Sequence, residues 1–118
     1  MRSLRSLFVC LFILVASACT KTVELSLPPA ATVAVYDMST GKKWSIQPNT
    51  AAHRSLGQWA KENQDGWQPY LATPPAQGIF LRAEGLDVQF VGDQVLLHSR
   101  QGVVAKKVKY NELAFLSV

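Results

Sequence analysis

The chain has 118 residues, 48% of them hydrophobic and 17% charged, and twelve Lys and Arg against eight Asp and Glu leave a net charge of +4. That length supplies one small core and excludes two independent domains. Nucleic-acid binding asks for a clustered basic face, and here the basic residues cluster only at Lys106, Lys107 and Lys109. In a strand Lys107 and Lys109 share a face while Lys106 points the other way, the pattern of a solvated edge strand protected against aggregation, with contact to anionic lipid headgroups as the second reading.

The first element in chain order is a leader. Arg2 and Arg5 precede an apolar run over 7–15, and Ala16-Ser17-Ala18-Cys19 follows. A positive start, a short apolar stretch and small residues before a cleavage point describe a secretory signal peptide. A dozen apolar residues are too few for a spanning helix, which needs about 20. A cysteine directly after that stretch resembles the lipobox of bacterial lipoproteins. The resemblance implies that residues 1–18 are removed and that Cys19 becomes a lipid-bearing N-terminus. Its two or three acyl chains would attach it durably to a bilayer, where a single chain holds only reversibly. Thr20 and Lys21, in place of an aspartate after the cysteine, imply the inner leaflet of an outer membrane, facing the periplasm. The competing expectation is ordinary secretory cleavage after Ala18, which fits the same small residues and releases a soluble protein. In either case the mature chain keeps ten basic and eight acidic side chains, a net +2. Cys10 leaves with the leader, so no disulfide forms within the mature domain, and the fold rests on packing alone.

Residues 19–31 read as the lipidated N-terminus and a tether stiffened by Pro28-Pro29, with Val23, Leu25 and Leu27 alternating in a way that also suits docking as an edge strand. A single domain is expected over 32–118. Segments 32–38 and 43–47 flank Ser39-Thr40-Gly41-Lys42 and predict a hairpin. Ala52, Leu56, Trp59 and Ala60 then recur at helical spacing, which predicts a helix over 49–64 capped by Asn49 or Thr50. Gly57 inside that helix suggests close approach to a sheet, and Asp65-Gly66 suggests the helix end. Residues 67–77 are read as loop, broken by Pro69, Pro74 and Pro75. Four strands follow at 79–83, 86–91, 95–99 and 103–110, separated by glycine-bearing turns. The tail 111–118 fits a short helix or a last strand equally. The order ββαββββ predicts an α+β fold, an antiparallel sheet of about six strands with one helix packed on it.

Few chemical motifs are present. His53 and His98 lack any further ligand at metal-binding spacing; both are read as surface residues, on the helix and on the wet face of a strand. No nucleophile elbow, P-loop or dinucleotide fingerprint occurs. Most carboxylates fall in or beside turns, where Asp and Glu are expected on structural grounds. Trp59, Trp67, Tyr70 and Phe80 fall within about twenty residues. Trp59 lies on the apolar stripe of the helix and is read as core, while Trp67, Tyr70 and the loop through Gln77 are read as a contact surface. The run Leu56-Gly57-Gln58-Trp59, with Asn63, Gly66-Trp67 and Thr73-x-Pro75, resembles small uncharacterised bacterial envelope proteins, and no functional residue is carried over from them.

The expected function is that of a non-enzymatic, membrane-anchored lipoprotein that binds another envelope protein, as an assembly or secretion accessory or as an inhibitor. No cofactor is expected. A peptidoglycan- or glycan-binding module is the alternative, and a small hydrolase with a carboxylate site the third.

Overall fold

The computed structural model describes residues 20–109; the leader, Cys19, Tyr110 at the end of the expected last strand, and the 111–118 tail lie outside the described residues. Two strands, β1 (Val33–Asp37) and β2 (Lys43–Ile46), form the expected hairpin, pairing Val33 with Ile46 and Tyr36 with Lys43. The single described helix, α1, covers Ala51–Glu62. The hydroxyl of Thr50 caps its start, accepting from the His53 N–H at 3.2 Å, which satisfies one of the donors a helix leaves open at its N-terminus. Its end comes earlier than the expected Asp65-Gly66. Asn63 takes the cap position and its side chain donates to the Trp59 carbonyl at 2.8 Å, while Gln64 donates to the Ala60 carbonyl at 2.6 Å. Two amides thus close the last turn, and Gly66, at φ +83°, turns the chain only after the helix is over.

Beyond α1 the chain makes a two-residue strand, β3 (Gln68–Pro69), which the expected loop did not include. Then β4 (Ile79–Ala83), β5 (Leu86–Val91), β6 (Gln94–Ser99) and β7 (Gly102–Lys107) form a meander close to the expected bounds. The result is an α+β fold with one antiparallel sheet of seven strands, one more than expected, in the order β2-β1-β4-β5-β6-β7-β3. β7 is therefore not the edge: β3 pairs outside it, Gln68 opposite Ala105 and Pro69 opposite Val104. Proline tolerates this place because an edge strand does not need every amide in the ladder.

Alternation assigns the two faces of the sheet. Val33 and Val35 of β1, Ile46 of β2, Leu81 of β4, Leu86, Val88 and Phe90 of β5, and Val95 and Leu97 of β6 are buried in one cluster with Leu56, Trp59 and Ala60 of α1. The ring of Trp59 meets that of Phe90 edge-on, centroids 5.4 Å apart, a favoured aromatic geometry. His53 belongs to this buried side too, contrary to the expectation of a surface residue. Its Nε2 lies 2.7 Å from the Ala31 carbonyl, tying the helix to the strand-entry segment.

Residues 20–31, expected as a tether, lie along the domain. Lys21 and Trp67 exchange both backbone hydrogen bonds, at 2.7 and 3.1 Å, and Val23 N–H donates to the Gln64 carbonyl at 2.7 Å. The Gln64 side chain then accepts from Leu25 N–H at 3.0 Å and donates to the Leu25 carbonyl at 2.7 Å. Leu25 is buried, and Val23 and Leu27 pack against the core.

The segment between β3 and β4 runs back across the opposite face. Gln89, whose side chain points away from the helix side, is fully buried and donates to the carbonyls of Pro75 at 2.7 Å and Gln77 at 2.9 Å. Its own oxygen lies 3.0 Å from His98 Nε2, so the amide is fully used, and His98, expected at the surface, is half-buried beside Gln89 and Phe80. Gly78 closes the strap onto β5. Its φ is +87°, and a Cβ there would meet the Phe90 carbonyl oxygen at 2.1 Å, so no other residue fits.

Candidate functional site

The face carrying the strap is covered over only part of its width. Register places Lys43, Tyr36, Phe80, Gln89, Leu96, Ala105 and Gln68 in one row across the sheet. Gln89 and Leu96, under the strap, are buried; Tyr36 and Phe80, beyond it, are half-exposed. There the surface dips into an open groove of about 510 Å³ lined by Tyr36, Phe80, Met38, Ser45, Lys43 and Arg82. Two aromatic rings make its floor and two cations its rim.

Each lining group is set by its strand. Val35 and Leu81 face the helix, so Tyr36 and Phe80, their neighbours in sequence, must face the groove. The Lys43 ammonium lies 5.3 Å from the centre of the Tyr36 ring, a cation–π contact. Phe80 is flanked by His98, ring centroids 6.4 Å apart. Arg82 is largely exposed and pairs with Asp87 at 3.5 Å, a surface pair that contributes little to stability and leaves the guanidinium free to turn toward a ligand. At the end of β1, Asp37 is fixed by Ser39 of the following turn, whose hydroxyl and N–H donate to it at 2.7 and 2.9 Å. The Ser39 hydroxyl holds the Asp37 carboxyl below its ordinary value, with lesser help from Thr40.

The groove adjoins a sheet edge that no other described strand pairs with. Asp37 N–H donates to the Lys42 carbonyl at 2.9 Å. Bonded positions alternate in an antiparallel pair, so the amides of Trp44 and Ile46 face β1 while those of Lys43 and Ser45 face outward. Nothing among the described residues pairs with β2 on that side. The edge offers donor and acceptor groups at two alternate residues beside an aromatic groove.

The residues singled out by the sequence do not converge here. Trp67 is 0% exposed and its indole donates to the Asn63 carbonyl at 2.7 Å; its ring belongs to the hydrophobic core and its backbone pairs with Lys21, so it is not part of a contact surface. Tyr70 lies half-exposed at the β3 edge, its N–H bonded to the Val103 carbonyl at 2.9 Å. The Gln77 side chain is exposed, and its carbonyl serves Gln89. Trp67, Tyr70 and Gln77 therefore form no common surface. Tyr36, Lys43 and Arg82 had a readable signal, since an aromatic ring and two cations at strand positions opposite the core faces of β1, β2 and β4 are surplus to packing. Among the described residues no three of His, Cys, Asp and Glu gather as a metal site, and no helix is long and apolar enough to cross a membrane. No family model matches the chain, and comparisons with curated proteins and with solved structures found no match.

Proposed function

We propose that the chain is a lipid-anchored binding module of the cell envelope, without catalytic chemistry, which holds an extended acidic segment of another envelope protein along β2. Cys19 is its acylation site, and the periplasm-facing leaflet of the outer membrane its location. One observation carries the reading: a strand edge left unpaired among the described residues and an aromatic, cation-rimmed groove occur side by side. Strand addition supplies affinity through main-chain hydrogen bonds, and pockets for alternate side chains supply specificity. Lys42, Lys43 and Arg82 favour carboxylates in the added segment.

Cross-linking in intact cells, with capture identified by mass spectrometry, tests it. Ser45→Pro removes an outward-facing donor and leaves the ladder to β1 intact; Tyr36→Ala removes half the groove floor. Each variant is expected to lose the partner that the unaltered protein captures, with unchanged circular dichroism. Capture that survives both substitutions refutes the site. Co-sedimentation with purified peptidoglycan that Tyr36→Ala abolishes would transfer the groove to a glycan, for which Trp67 offers no exposed ring.

A further inference from the structure

At the opposite end of the sheet, the surface beside the anchor carries a different chemistry. Leu71, 96% exposed, is the one exposed large hydrophobic among the described residues. It shares a depression of about 480 Å³ with Lys21 and Tyr70, and Tyr70 also borders the adjoining one, which Lys106 and Lys107 line. An exposed leucine, a tyrosine with a polar tip and several ammonium groups are the components of a membrane-interface contact.

Chain length makes the position decisive. Lys21 is held to Trp67 by two backbone hydrogen bonds, and Cys19 precedes it by two residues. At 3.3–3.6 Å per residue, two residues of chain reach at most about 7 Å from Lys21. An acylated Cys19 therefore leaves almost no free tether, and the β3–β7 edge rests at the bilayer. Lys106 donates to the Asp65 carbonyl at 2.7 Å, and the Asp65 carboxylate accepts from Thr22 at 2.8 Å. Glu24 lines the depression, and Asp93, whose carbonyl accepts from Val108 N–H, is the third carboxylate on this side, against the four lysines Lys21, Lys106, Lys107 and Lys109. Lys21, Lys107 and Lys109 are exposed, and the balance is positive. Anionic headgroups attract such a cluster.

We infer that the β3–β7 edge, through Tyr70, Leu71, Lys21 and Lys107, is a docking surface for an anionic lipid bilayer that fixes the domain's orientation. The inference rests on the lipid-anchor reading. Six strand spacings of about 4.8 Å then separate the docked edge from β2, which is held roughly 29 Å out on the side away from the membrane.

Spin labels on the full-length protein, processed and acylated in the cell and reconstituted in vesicles, test this. One label replaces Ala72, exposed beside Leu71; the other replaces Ser45 on the far edge. In vesicles containing phosphatidylglycerol, the label at 72 should collide more readily with dissolved oxygen than with an aqueous nickel complex, and the label at 45 the reverse. Leu71→Asp, or phosphatidylcholine alone, should return the label at 72 to the aqueous pattern. An aqueous pattern at 72 on protein whose Cys19 carries its acyl mass overturns the docked edge and leaves the anchor intact. Equal immersion in phosphatidylcholine overturns the role of the lysines. Absence of the acyl mass removes the anchor, and the docked edge with it.

Discussion

Gly57 stands in the middle of α1 with nothing within 4 Å of where a Cβ would lie. The expected close approach to the sheet is absent, so the residue carries the conformational cost of a mid-helix glycine without a packing return. Gly57→Ala is expected to stabilise the protein by about 0.5–1 kcal/mol, read as a raised midpoint in urea or thermal unfolding. Trp67 shows the complementary limit of reading single residues. Prolines around it spoke for a loop, and loops lie at the surface. Its indole instead joins the hydrophobic core, and its backbone pairs with Lys21, far away in sequence, a pairing no local pattern announces. Tyr36 and Phe80 were legible in principle because alternation within their own strands fixes which way they point.

Strands with their own turn signals were the most readable elements. β4 to β7 fall at or within a residue or so of expectation at most ends, since each boundary is marked by a glycine or a short polar turn and each interior alternates. β3 was invisible because two residues have no period, and one of them is proline. The sequence of the strap carries no hint of its partner, because its hold on the sheet is through main-chain carbonyls, which have no residue signature. Gln89 is where that hold concentrates. Gln89→Leu fills the same space but leaves the Pro75 and Gln77 carbonyls and His98 without their partner. Burying unmet polar groups costs about 1–3 kcal/mol. The expected outcome is a loss of that order in denaturant unfolding, with faster hydrogen exchange at the Met38 amide, which donates to the Gly78 carbonyl at the end of the strap, while α1 stays protected.

Across the whole molecule, the sheet is bound on both faces by chain that runs against the strand order. The 20–31 segment and α1 cover one face, and the strap crosses the other. Leu25 tests how far the first of these belongs to the domain. A tether loses little when truncated, whereas a buried leucine loses about 2–5 kcal/mol on replacement by alanine. Leu25→Ala is expected to fall in the second range by chemical denaturation, in a single transition shared with the sheet.

The pairing of β1 with β4, Val35 opposite Leu81, joins two parts of the chain with α1, β3 and the strap between them. Local turns alone can form the β1–β2 hairpin and the β4–β7 meander, but closing them into one sheet means paying loop entropy before any contact rewards it. As the protein is synthesised, the inner edge of β1 is made long before its partner exists. Until Ile79–Ala83 arrives, the hairpin presents two open edges, and protection of the nascent chain during that interval bears on yield as much as the stability of the finished fold does.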